Sequence, residues 1–86
     1  MKVYLLLTDI VDDGEGLGYY TEAFYKEEDA QNALAAWIES TAANFVKESW
    51  YVDSNDVSKG YYRAWDGDTS WCENHCEGMV LERLII

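Results

Sequence analysis

One apolar stripe at helical spacing, Ala30, Ala33, Leu34, Trp37, Ile38 and Thr41, lies between two groups of extended segments in this 86-residue chain. Strands in two groups with a helix between them fold as an α+β domain, a mostly antiparallel sheet covered on one face by the helix. The expected order is ββαβββ, with four to five strands, one main helix and a single domain over residues 1–86. Glu27, Glu28 and Asp29 fill the first helical turn, where carboxylates meet the positive end of the helix dipole. Ala42, Phe45 and Val46 extend the stripe, while the weak helix formers Ser40, Thr41 and Asn44 place a break near Ser40.

Residues 2–10 form the first expected strand. Val3, Leu5 and Leu7 alternate there with Tyr4, Leu6 and Thr8, and apolar residues on both faces predict a central position in the sheet. Residues 12–16 supply turn chemistry, so 18–25 follows as an antiparallel hairpin partner. Residues 50–52 read as a short extended piece and 53–56 as a loop. A third strand is expected over 60–65, a turn over 66–68 and a hairpin partner over 69–74. Residues 78–86 close the chain as a strand, with Met79, Leu81, Arg83 and Ile85 alternating against Val80, Glu82, Leu84 and Ile86.

Seventeen Asp and Glu against six Lys and Arg leave a formal net charge of −11. That balance excludes direct binding of nucleic acid and disfavours anionic membrane surfaces, and it points to a basic partner. The acids are spread along the chain, and aromatic residues make up 15% of it, which a disordered acidic chain would lack. No stretch is long and apolar enough for a membrane-spanning helix, and no signal peptide opens the chain. A cytoplasmic protein is therefore expected, with Cys72 and Cys76 as thiols in a reducing compartment.

Catalytic and metal motifs are weak. Cys72, His75 and Cys76 are candidate zinc ligands, but a structural site takes four ligands, and the fourth would have to be a carboxylate such as Glu73 or Glu77 or come from a second subunit. Catalytic cysteine and histidine come from positions distant in sequence, unlike His75 and its neighbouring thiols. From Asp66, oxygen-bearing side chains fall at the calcium-loop positions of Asp68, Ser70, Asn74 and Glu77, yet Trp71 stands where that loop requires glycine. Gly14, Gly16 and Gly18 precede a strand rather than a helix, unlike a dinucleotide fingerprint. The expectation is a non-enzymatic protein without a cofactor.

Carboxylates two apart on a strand lie roughly 6.6 Å apart, from two rises of ~3.3 Å, a spacing close to that of phosphates along one DNA strand. Asp66 with Asp68 has that separation in sequence, and Asp53 with Asp56, three apart, adds further charge, beside Trp65 and Trp71 as packing anchors. Glu73 and Glu77 add to the same carboxylate–aromatic mix. In size, charge, ββα opening and this mix, the chain resembles the small acidic phage-encoded inhibitors, anti-CRISPR proteins and other DNA mimics. The juncture Ala23-Phe24-Tyr25-Lys26-Glu27-Glu28-Asp29-Ala30 likewise resembles a layout of small phage and bacterial α+β proteins. The resemblance implies a monomer or homodimer in the host cytoplasm that occupies the basic channel of a nucleoprotein complex such as a CRISPR effector. Asp53, Asp56, Asp66, Asp68, Glu73 and Glu77 would supply charge, and Trp65 and Trp71 shape. The alternative is a regulatory or interaction module that binds through an aromatic surface or a dimer interface, with charge incidental.

Overall fold

A computed structural model describes residues 1–12, 15–46, 50–67 and 74–85. Five strands form one antiparallel sheet: β1 (Lys2–Asp12), β2 (Glu15–Phe24), β3 (Tyr51–Asp56), β4 (Tyr61–Trp65) and β5 (His75–Leu84). Their spatial order is β2-β1-β5-β4-β3, and helix α1 (Glu27–Trp37) joins β2 to β3. The ββαβββ order and the α+β class agree with the sequence pattern. So does the central place of β1, which pairs with β2 on one side and with β5 on the other.

Strand alternation sorts the side chains into two faces. Leu6 and Ile10 of β1 share a face with Cys76 and Val80 of β5 and with Tyr62 and Ala64 of β4. Those residues form the core with Leu34 and Ala42 from the helical segment, joined by Trp37, Ile38 and Trp50. The helix sits very close to the sheet at Gly78. A Cβ there would lie 2.8 Å from both Leu34 Cδ1 and Trp37 Cζ3, so only glycine admits this packing. Trp37 also meets the ring of Tyr62 edge-on, centroids 6.0 Å apart.

Three local features differ from the pattern in the sequence. The expected break near Ser40 is a π-helical turn, Ile38–Ala42, after which the segment closes at Ala43–Phe45. Ser40 Oγ donates to the Ala36 carbonyl at 2.7 Å and Asn44 Nδ2 to the Ser40 carbonyl at 2.5 Å. Such polar back-bonding satisfies the backbone while the register loosens. Residues 53–56, expected as a loop, belong to strand β3, which pairs with β4 through a register shift between Val52 and Ser54. Tertiary pairing there overrides the turn-forming composition. The last strand starts at His75 instead of residue 78; the strand expected over 69–74 lies almost wholly outside the described residues.

The short connection from β3 to β4 is a 3-10 turn, Val57–Lys59, closed by Gly60 at φ 71°, a left-handed conformation that suits glycine. Among the described residues, no helix is long and apolar enough to cross a membrane.

Candidate functional site

Helix α1 covers one face of the sheet, and among the described residues no element covers the other. Cross-strand register arranges that open face in rows. Ala23, Leu5 and Leu81 form the first, and Thr21, Leu7, Met79 and Tyr61 the second. Asp9, Glu77 and Arg63 form the third, and Val11, His75, Trp65 and Tyr51 the fourth. The face thus grades from aliphatic, through charged, to aromatic. Leu5, Leu7, Met79, Leu81, Tyr61 and Trp65 are half-buried and Tyr51 is exposed.

Arg63 organises the charged row. Its Nη1 donates to Asp53 Oδ2 at 2.7 Å, and its Nε lies 3.6 Å from Glu77 Oε2. The same guanidinium stacks over Trp65, 5.1 Å from the ring centroid, and Trp65 in turn packs against Tyr51 at 6.4 Å. Glu77 Oε2 also accepts from the Tyr61 hydroxyl at 2.7 Å. That hydrogen bond, aided by burial, raises the Tyr61 phenol above its ordinary value because ionisation would set two anions face to face. At the neighbouring position His75 Nε2 lies 2.9 Å from Asp9 Oδ2.

Of the carboxylates and indoles singled out in the sequence, Asp53, Trp65 and Glu77 come together on this face, joined through Arg63. Asp56 serves a local role. Its Oδ1 accepts from Ser58 Oγ at 2.5 Å and from the Lys59 amide at 3.3 Å, capping the 3-10 turn. The Ser58 hydrogen bond holds its carboxyl below the ordinary aspartate value. Asp66 stands at the base of the β4–β5 connection, where its amide donates to the Asn74 carbonyl at 3.0 Å. Asp68, Trp71 and Glu73 lie outside the described residues, as does Cys72.

His75 and Cys76 are separated by strand alternation. His75 points to the open face beside Asp9, whereas Cys76 is fully buried in the core under the helix. One metal ion or one nucleophile–base pair cannot use both. Among the described residues no group of three or more metal-ligating side chains converges. Glu77, the last position of the calcium-loop pattern, sits inside a β-strand.

Leu5, Leu7, Asp9, Tyr51, Tyr61, Arg63 and Met79 also belong to the site, and sequence reading did not nominate them. Period-two alternation around Leu5–Leu7 and Met79–Leu81 carried the signal, since those residues face away from the partners of the helix stripe. No protein-family model, curated protein or solved structure matches the chain.

Proposed function

We propose that this chain is a non-enzymatic binding protein that docks the open face of its sheet onto a basic protein surface. The observation that carries the reading is the in-register array of half-exposed aliphatic and aromatic side chains on a face that α1 cannot reach. Contiguous apolar surface rimmed by polar groups marks an interaction site. The net charge of −11 selects a cationic partner and speeds the encounter.

Inhibition of a nucleic-acid-binding complex by DNA mimicry is the narrower form of this reading. The acidic balance of the chain supports it. Arg63, however, already draws on Asp53 and Glu77, so on this face rings and methylenes share the grip with the carboxylates instead of charge carrying it alone. Self-association is the second reading, favoured by the same Arg63, which lowers repulsion between two copies of the face.

The test uses immobilised protein, wild type beside Leu81→Asn on the open face and Glu39→Gln on the exposed helix surface. Proteins retained from a lysate of the cells that carry it are identified at low and at high salt. The reading expects partners with basic surfaces, released by salt, lost about tenfold or more in Leu81→Asn and kept in Glu39→Gln. Retention that ignores Leu81→Asn sinks it. A dimer by light scattering that Leu81→Asn dissociates replaces it with self-association.

A further inference from the structure

The open face contains a groove whose chemistry names the group it reads. It crosses β2, β1 and β5, is lined by Leu7, Thr8, Asp9, Thr21, Glu77 and Met79, and encloses about 360 Å³. Leu7 and Met79 are cross-strand partners and give it an apolar floor; Asp9 and Glu77, the next pair along, close one end with two carboxylates.

Two carboxylates directly opposite each other on neighbouring strands have Cβ atoms roughly 5 Å apart, and such like-charged pairs are unfavourable. Each has a counter-group on one oxygen. His75 Nε2 meets Asp9 Oδ2 at 2.9 Å, while Tyr61 and Arg63 meet Glu77 Oε2 at 2.7 and 3.6 Å. Among the described residues these contacts all fall on Oδ2 and Oε2, which leaves Oδ1 of Asp9 and Oε1 of Glu77 for a further donor. With 47% of its side chain exposed, Asp9 is open to a group arriving from solvent.

We propose that this groove receives an arginine side chain of the basic partner, its methylenes on Leu7 and Met79 and its guanidinium between Asp9 and Glu77. The inference rests on the reading of the open face as a docking surface. A long aliphatic stem with a cationic head matches an apolar trough closed by anions. Arginine suits it better than lysine because its planar fork of five donors can serve two carboxylates at once, and because it is shed from water more readily. The molecule itself holds an example in the same row, since Arg63 bridges Asp53 and Glu77. An incoming guanidinium would also relieve the repulsion between Asp9 and Glu77.

Isotope-labelled full chain, titrated with N-acetyl-arginine amide, N-acetyl-lysine amide and N-acetyl-norleucine amide, tests this through its amide chemical shifts. Saturable shifts should gather at Leu7, Asp9, Thr21, Glu77 and Met79. Arginine amide should bind about tenfold more tightly than the norleucine compound, in line with charge-assisted hydrogen bonds. The Asp9→Asn/Glu77→Gln variant should lose that preference while its remaining amide shifts stay in place. Equal binding of norleucine amide reduces the groove to an apolar dent, and tighter binding of lysine amide overturns the choice of arginine. Either result on wild-type protein stands even where the double variant does not fold. Absence of saturable shifts sinks the groove and leaves open-face docking to the Leu81→Asn capture test.

Discussion

The two faces of the sheet are built from alternate residues of the same strands, yet they obey different constraints. On the covered face, Leu6, Ala64, Cys76 and Gly78 are buried and fitted to α1 so closely that a single added Cβ would collide. On the open face, Leu7, Met79 and Leu81 are only half-buried, and charged groups stand among them. Close fit governs one side and the chemistry of what arrives governs the other. Truncations should separate them. Leu34→Ala leaves a cavity under the helix and should cost about 2–5 kcal/mol, whereas Leu81→Ala at the open face should cost about 1 kcal/mol. Chemical denaturation of both variants measures the gap. Equal losses would mean that the open face is a second core and would remove the contrast.

Tyr61 and Tyr62 place the same comparison at adjacent positions of β4. Tyr62 is 5% exposed, packed edge-on to Trp37, and burial raises its phenol above the ordinary tyrosine value. Tyr61 faces the open side and is raised first by its hydrogen bond to Glu77. The native state holds both protons more firmly than the unfolded chain does. Their contribution is therefore complete below about pH 10, the unfolded value, and is lost as pH climbs through the higher native values. Denaturant midpoints measured from neutral pH into the alkaline range should fall less steeply for Tyr62→Phe and for Tyr61→Phe than for wild type. Tyr61→Phe in a Glu77→Gln background should then add little, because the anion that raised the phenol has gone. Alkaline slopes that no substitution changes would show that neither phenol is linked to folding.

The part of the architecture legible in the sequence is the part set by local period. The helix stripe, the hairpin of β1 with β2 and the double-sided apolar pattern of β1 all follow from residue spacing. Asp53 to Asp56 misled because Asp, Ser and Asn favour turns, and only the ladder with β4, bulged at Asp53, draws them into a strand. The site shows the same limit. Trp65, Asp53 and Glu77 were visible as aromatic and acidic residues, but their meeting depends on the pairing of β4 with both β3 and β5. Asp9 was invisible as a site residue for a stronger reason. Its neighbour Glu77 is 68 positions away, and the register of β1 on β5 that joins them leaves no trace in either segment alone.

That pair also supplies the finest test of the two faces, because fold and binding there predict opposite signs. Asp9→Asn keeps an oxygen for His75, removes a negative charge facing Glu77 and reduces the self-repulsion of a chain at −11. Relief of a like-charged cross-strand pair should raise unfolding free energy by about 0.5 kcal/mol. A residue present for stability loses stability when replaced. A residue present for a ligand can gain stability while it loses affinity, since the unfavourable pair is part of what the ligand satisfies. Asp9→Asn should thus unfold at a slightly higher denaturant concentration and bind N-acetyl-arginine amide more weakly. The exposed control Glu39→Gln, well beyond the helix N-terminus, carries the same gain in net charge without an opposing carboxylate, so it isolates the cross-strand term. A fall in stability for Asp9→Asn beside an unchanged Glu39→Gln would assign Asp9 to holding His75 in place, and the groove would lose its anionic end as a recognition element.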